Sequence, residues 1–399
     1  MEELLKKLKQ SLPGPVTPEV ISANWCIIAE RDPVHFWNRF CGALAGGSTV
    51  VLVDPDWPEN WKRNLAQEMD EFPPSAVQTI LVPTGGTSGR PRLCIHTIDT
   101  LMHSAESFRH SFGEAGIIHN VNVLPQHHVG GLMPVLRSAA SGGKTFFTDY
   151  RKLTSTEGIP FDPGEAALSL VPTQLQRILE QPEGGTALAK FGLILIGGAA
   201  CPDNLLDKCR SRGLRLAPCY GSTETAAMVT VLDPREFLSG GTGVGSALPG
   251  TRIEIGPDQG IRVFSKSCCH GYHPPRDPVQ RDPIYTRDLG QIDDSGSLHI
   301  LGRMDRVVIT GGENVIPEQV EAVALRTGLV EDAHCRGVPD NDWGQRVELS
   351  VVPRATPFQE DSLLAALRNE LPPYAVPKRI HITGNLYRNA LGKQASYGD

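Results

Sequence analysis

Between Thr84 and Arg92 the chain reads TGGTSGRPR, with three glycines, three hydroxyl side chains (Thr84, Thr87, Ser88) and two arginines in nine positions. Glycines Gly85, Gly86 and Gly89 let backbone N–H groups approach an anion closely, and hydroxyls and guanidinium groups donate to its oxygens. The chemistry this composition suits is phosphate binding; the plain alternative is a polar surface turn. Two phosphate-loop templates fail at once. Gly89 is followed by Arg90 and Pro91 rather than Lys and a hydroxyl residue, and Gly85 and Gly86 are adjacent rather than spaced as G-x-G-x-x-G. A second group is APCYGSTETAAM (217–228), read as a strand ending at Tyr220 and a Gly-Ser-Thr-Glu turn that opens a helix. Tyr220 could stack on a purine, and Glu224 could hold Mg²⁺ across phosphates; helix capping explains the same residues without a ligand. A third is YTRDLG…LGRMDRVVITGGEN (285–314), where Asp288 could accept from ribose hydroxyls and Arg303 could add a donor. Asp-Leu-Gly and Asp-Ser-Gly there are also ordinary turn formers.

These residues need a scaffold, and the apolar pattern supplies one. STVVLVDP (48–55), QTILVP (78–83), NVNVLP (120–125), KTFFTD (144–149), ALSLVP (167–172) and FGLILIGG (191–198) read as buried strands. Helical stretches such as TQLQRILEQ and PDNLLDKCRSRG lie between them, the alternation expected of an α/β domain with largely parallel strands. TGGTSGRPR then lies past a strand's carboxyl end, where such sheets bind ligands. From about residue 240 the texture changes to short β-like pieces separated by turns. A tail after Asp305 carries the helices PEQVEAVALRT and FQEDSLLAALRNEL and the strands VELSVVP and RIHIT, enough for a small α+β domain.

Composition bounds what this scaffold serves. The 399 residues are 40% hydrophobic and 21% charged, which suits a globular chain of two or more domains. A net charge of −7 argues against broad nucleic-acid or anionic-membrane binding, so cationic groups for an anionic substrate must be local. Nine scattered cysteines without a C-x-x-C pair suit free thiols in a reducing compartment. MEELLKKLKQ lacks the apolar core of a signal peptide, and no apolar run reaches the ~20 residues of a membrane span. A cytoplasmic protein is expected.

In their order along the chain, TGGTSGRPR, YGSTE, YTRD, GRMDRVVITGGENVIP and the Gly-Lys of NALGKQ resemble the acyl-adenylate-forming enzymes, which include the acyl-CoA synthetases. The resemblance runs from residue 79 to 393. It implies a large N-terminal α/β domain of layered sheets and helices with a small β-rich part (1–302), a hinge (303–305), and a small mobile C-terminal α+β domain (306–399). It implies ATP, Mg²⁺ and CoA as the small molecules used with a carboxylic acid, with no nucleic-acid partner; a homo-oligomer stays open. Thr84, Gly85, Gly86, Thr87, Ser88, Gly89 and Arg92 would hold the β- and γ-phosphates, with Arg92 where the family usually has lysine. Tyr220 would stack on adenine, with Gly198 and Ala199 lining the same pocket, Gly221 and Ser222 would also bind ATP, and Asp288 and Arg303 would hold the ribose. Thr223 would contact the phosphates, Glu224 would bind Mg²⁺, and Lys393 would bridge the substrate carboxylate and the α-phosphate. Asp305 falls at the hinge, and Gly311 and Gly312 line the pantetheine tunnel. Family members generally have a longer region before the phosphate loop, so an abbreviated first subdomain is expected.

Within the family, LPQHHVGGLMPVLRS and SLVPTQLQRIL resemble the o-succinylbenzoate–CoA ligase branch of menaquinone and phylloquinone biosynthesis. Such an acid keeps a second carboxylate that needs a buried cation or donors. Arg137 matches the branch pattern for that role, with a helix-surface arginine as the rival reading, and His128 falls near the acyl pocket. CCHGYH (268–273) gathers cysteines and histidines at a spacing that fits no usual zinc pattern, and Gly271-Tyr272 reads as a loop. Two rivals remain: an adenylating enzyme for another acid or a carrier-protein acceptor, and an inactive nucleotide-binding regulator.

Overall fold

The computed structural model describes residues 1–14, 17–72, 77–84, 92–112, 117–274 and 283–386. The first layer is built on β1 (Trp25–Ile28), β2 (Thr49–Leu52) and β3 (Thr79–Pro83), which run parallel. β4 (Leu93–Thr97) then returns antiparallel to β3, so the glycine-rich segment joins two antiparallel strands rather than leading into a helix. Helices α1 (Glu2–Ser11), α2 (Pro33–Ala45), α3 (Glu59–Asp70), α4 (Ile98–Phe112) and α5 (Val129–Ser141) pack around it. The start of α2 is written in the sequence: the Asp32 carboxylate accepts from the His35 N–H, and Pro33 follows it.

The second layer takes its strands from β5 (His119–Asn122), β6 (Thr145–Phe147), β7 (Ala166–Leu170), β8 (Leu193–Ile196), β9 (Leu216–Ser222), β10 (Ala227–Val231) and β11 (Ser246–Ala247). The order is β11-β10-β9-β8-β7-β5-β6, parallel from β6 to β9 and antiparallel at β10 and β11. β8 reads LILI with every residue buried, because helices cover both faces of a parallel sheet. β5 ends one residue before Val123, where the Leu124 N–H turns back onto the Asn122 side chain.

The β-like stretch after residue 240 folds as an antiparallel sheet of β12 (Thr251–Ile255), β13 (Gly260–Ser265), β15 (Ile284–Ile292) and β16 (Leu298–Arg303). Between them β14 (Tyr272–His273) leaves this sheet and pairs with β4, so Gly271-Tyr272 is not the loop expected from sequence. Backbone bonds between Ile95 and both Gly271 and His270 extend that pairing and place Tyr272 in the first layer.

After a single turn at Met304–Arg306 the chain enters a separate sheet, β18-β17-β20-β19 with β21 on β20. Its strands are β17 (Val308–Thr310), β18 (Glu313–Val315), β19 (Val330–Asp340), β20 (Gly344–Pro353) and β21 (Arg379–Ile382). Helices Pro317–Arg326 and Glu360–Glu370 close a core around Val320, Leu349, Val351 and Leu363. No helix among the described residues is long and apolar enough to cross a membrane.

Candidate active site

The phosphate-loop residues Gly85, Gly86, Thr87, Ser88 and Gly89, and Lys393 beyond the last strand, lie outside the described residues. The loop's two ends are described and are tied together. The Thr84 N–H donates to the Arg92 carbonyl at 2.8 Å, and the Thr84 hydroxyl donates to the same oxygen at 3.2 Å. The Arg92 guanidinium lies 4.2 Å over the Tyr272 ring, a cation–π contact that positions the cation beside β14.

The Gly-Ser-Thr-Glu turn does not open a helix. Thr223–Thr225 is one short 3-10 turn, after which Ala226 (φ 53) and Ala227 (φ 77) reverse the chain into β10. An αL residue cannot continue a right-handed helix, and AMVTV supplies β-branched residues that pair back on β9. Gly221 is required by this hairpin, since a Cβ there would lie 2.0 Å from the Ala227 carbonyl oxygen. Glu224 sits at the tip, and one carboxylate oxygen accepts from the Tyr272 hydroxyl at 2.8 Å. A hydroxyl and a carboxylate thus stand together beside the Arg92 guanidinium that covers the Tyr272 ring. Oxygen donors of this kind suit Mg²⁺. Burial, then the Glu224 charge, pushes the Tyr272 hydroxyl upward, so it stays protonated as a donor.

The residues expected at adenine and ribose, Tyr220, Asp288 and Arg303, come together. Register pairs Asp288 on β15 with Arg303 on β16. The Tyr220 hydroxyl donates to one Asp288 oxygen at 2.7 Å, and Arg303 lies 3.6 Å from the other. Burial first, and Asp288 second, raise the Tyr220 pKa. Gly198 (φ 81) and Ala199 follow β8, whose Ile196 pairs with Pro218 of β9, so they stand past the end of that strand. Arg303 is also committed elsewhere: its guanidinium bonds both oxygens of Asp305 at 2.8 Å. That contact, ahead of burial, holds the Asp305 carboxyl below its ordinary range.

Gly311 and Gly312 belong to a different sheet, at the two-residue turn between β17 and β18. Both have positive φ (59 and 85), which such a hairpin demands. Gly311 is further required because a Cβ would meet the Trp343 ring at 2.6 Å.

The acyl candidates divide. His128 stands at the start of α5, its ring 4.4 Å from that of His127. Arg137 is near the other end, nine residues and about 13 Å along the axis. It is not a surface arginine. It is 2% exposed, its Cζ lies 4.6 Å over the Phe108 ring, and its Nε has no hydrogen-bond partner among the described residues. Burial draws its pKa down to about 10, with the Cys219 thiol beside it.

Sequence reasoning missed two residues. Tyr272 was read as part of a loop, and nothing local marks it as the partner of Glu224. His96 follows Arg92 by four residues and reaches the Thr223 carbonyl at 2.7 Å.

Comparison with known proteins places the chain in a family. Residues 39–264 match the model of the AMP-binding enzymes, and residues 319–393 match the AMP-binding enzyme C-terminal domain. The chain is 30% identical over 329 residues to a probable 2-succinylbenzoate–CoA ligase of Mycobacterium tuberculosis, covering 79% of this chain and 82% of that one. It is 26% identical over 321 residues to a 2-succinylbenzoate–CoA ligase of Oceanobacillus iheyensis, covering 78% and 67%. By structure it is similar to o-succinylbenzoate CoA synthetase of Bacillus subtilis in complex with the acyl-adenylate OSB-AMP. That match has a TM-score of 0.78 at 21% identity and covers 99% of this chain and 90% of that one. ATP-bound MatB of Rhodopseudomonas palustris gives a TM-score of 0.80 at 20% identity, covering 99% and 91%. At these identities the structural likeness speaks for the fold.

Proposed function

The chain belongs to the AMP-binding enzyme family, and from that premise we propose that it is an ATP-dependent, AMP-forming acid–CoA ligase whose acid is o-succinylbenzoate. The observation that carries the nucleotide half is the Tyr220–Asp288–Arg303 cluster, with Glu224 and Tyr272 beside the pinned ends of the glycine-rich loop. The acid is supported by the curated relatives and by Arg137, a buried guanidinium with an unpartnered Nε.

A carboxylate is a poor acyl donor because it would have to expel oxide. One of its oxygens attacks the α-phosphorus of ATP, the bond to pyrophosphate breaks, and an acyl-adenylate forms. The CoA thiol then attacks the acyl carbon, releasing AMP and a proton. When bound, Mg²⁺ supplies charge neutralisation to the phosphates. Glu224 would hold it, with Thr223 donating to phosphate and Arg92 adding a fixed cation at the loop's end. Tyr220, Gly198 and Ala199 face adenine, and Asp288 accepts from the ribose hydroxyls with the lone pairs that Tyr220 leaves. Arg137 pairs the acid's second, unreacting carboxylate, so that the two charges offset each other's desolvation. His128 borders the acyl pocket. Lys393 bridges the reacting carboxylate and the α-phosphate. The part after Asp305 then turns, withdraws Lys393 and brings Gly311 and Gly312 to the thiol's path.

The test is product analysis with ATP, Mg²⁺, CoA and a panel of carboxylic acids. AMP together with o-succinylbenzoyl-CoA is expected. AMP with another acid's thioester keeps the ligase and discards this substrate. ATP binding without turnover on any acid overturns the reading in favour of a nucleotide-binding regulator.

A further inference from the structure

The turn that carries Thr223 and Glu224 is strained. Ala226 and Ala227 both have positive φ (53 and 77), a conformation that costs side-chain-bearing residues about 1 kcal/mol or more each. A strained turn keeps one geometry only if its surroundings over-determine it, and here the bonds come from β4 and α4. His96 on β4 is fully buried, and its Nε2 lies 2.7 Å from the Thr223 carbonyl. A carbonyl only accepts, so Nε2 carries the proton, and Nδ1 faces the Thr100 hydroxyl 2.9 Å away, whose one proton is shared between Nδ1 and the Thr97 carbonyl, also at 2.9 Å. One helical turn further, the Ser104 hydroxyl donates to the Ala226 carbonyl at 2.7 Å. Two buried donors thus hold two carbonyls that bracket Glu224.

We propose that His96, assisted by Ser104, is a positioning residue that sets the Thr223–Glu224 turn for Mg²⁺-bound phosphates and thereby couples it to the phosphate loop. Arg92 immediately precedes β4 and His96 lies four residues on within it, so the loop's exit leads directly into the element that holds the turn's carbonyl. Glu224 is held from its other side by Tyr272, whose strand also pairs with β4. One strand therefore fixes the cation at the loop end, the backbone of the turn and the hydroxyl on its carboxylate. Burial keeps the imidazole neutral, with its pKa drawn down to about 4. The single proton on Nε2 is therefore committed to Thr223 across the neutral range. This inference rests on the nucleotide role given above to Thr223 and Glu224.

The experiment compares wild type with His96→Phe, His96→Gln and Ser104→Ala. Phe fills the site without a donor, whereas a glutamine amide can donate from near the Nε2 position. Three quantities are read: the dissociation constant for Mg·ATP by calorimetry, the Mg²⁺ dependence of ATP–pyrophosphate exchange, and thioester formation from supplied acyl-adenylate. His96→Phe should weaken Mg·ATP binding about tenfold, the equivalent of one buried hydrogen bond, and raise the Mg²⁺ needed for exchange. Thioester formation should stay within about twofold, since it uses no triphosphate; His96→Gln should recover most of the binding, and Ser104→Ala should shift it in the same direction by less. Equal losses in both half-reactions, or no rescue by Gln, would mean a structural histidine only and would overturn the proposal. A wild type that binds Mg·ATP but exchanges nothing defeats the ligase reading, yet the ratio of dissociation constants still decides His96. A wild type that binds no Mg·ATP defeats both.

Discussion

A guanidinium that is 2% exposed, with an unpartnered Nε, is costly to keep without a counter-ion, and the cost is expected to serve binding. Arg137→Met should therefore raise stability by about 1–4 kcal/mol, read as the midpoint of denaturant unfolding. It should lower kcat/KM for o-succinylbenzoate by about 10²–10³, the loss expected when a buried charge pair loses one member. A phenyl-substituted monocarboxylic acid should lose less than about threefold, having no second carboxylate to leave unpaired. Equal losses on both acids would assign Arg137 to the core beside Phe108 instead. Glu224→Gln is the complementary change, keeping shape and the Tyr272 contact while removing charge. ATP–pyrophosphate exchange should fall about 10²–10³ with no change in the far-ultraviolet circular dichroism. A loss under threefold would remove Glu224 from the phosphate site. Glu224 could be picked out from sequence because Ser-Thr-Glu is a compact string of oxygen donors. Tyr272 could not, since its hydroxyl matters only through a pairing between strands nearly 180 residues apart.

At the scale of elements, apolar runs gave the strands because burial on both faces leaves no alternation to confuse with a helix, as in LILI of β8. What sequence misassigned was the chain after Gly-Ser-Thr-Glu and at Gly271-Tyr272. β10 folds back on β9 where a helix was expected, and β14 pairs with β4 where a loop was expected; the first reversal is fixed by positive φ at Ala226 and Ala227, which Ala does not advertise. Gly311 was expected to line the pantetheine tunnel; its reason within the fold is the hairpin and the Trp343 ring. Gly311→Ala should slow thioester formation about tenfold and leave exchange unchanged, because the added Cβ must displace Trp343 or unwind the turn. His96 makes the β4–turn contact sensitive to pH. Its folded pKa of about 4 lies below the ordinary value, so the unfolded chain binds the proton first as pH falls. The contribution is complete above about pH 6.5 and is lost as pH drops towards 4, amounting to about 2 kcal/mol between pH 7 and 5. Denaturant titrations at both pH values should show that difference in wild type and a smaller one in His96→Gln. Identical slopes would mean that the imidazole is already solvated in the native state.

For the whole molecule, two half-reactions must share one pocket, and the contacts between its parts are consistent with movement. Helix Pro317–Arg326 meets helix Asp203–Ser211 through an Arg326–Asp203 ion pair at 3.9 Å, with both side chains over 40% exposed. Such a pair contributes about 1 kcal/mol at most, so it does not fix one arrangement. Stronger bonds lie within the connecting segment, where Arg303 grips Asp305 while also facing Asp288. If Asp288 holds the ribose as proposed, the ribose would compete for that guanidinium and loosen its grip on Asp305, and nucleotide occupancy would then bear on the proposed rotation. If Lys393 serves adenylation alone, removing it should separate the two chemistries. Lys393→Ala is expected to lower ATP–pyrophosphate exchange by about 10²–10³, the loss of one preorganised charge at the developing phosphate. Conversion of supplied acyl-adenylate and CoA to thioester should stay within about threefold, because the lysine has left the pocket in that pose. Single-turnover rates for each half-reaction decide the matter. A parallel fall in both would place Lys393 in the second step as well and would remove the need for two poses, whereas a loss confined to exchange leaves rotation about Asp305 as the way one pocket serves both.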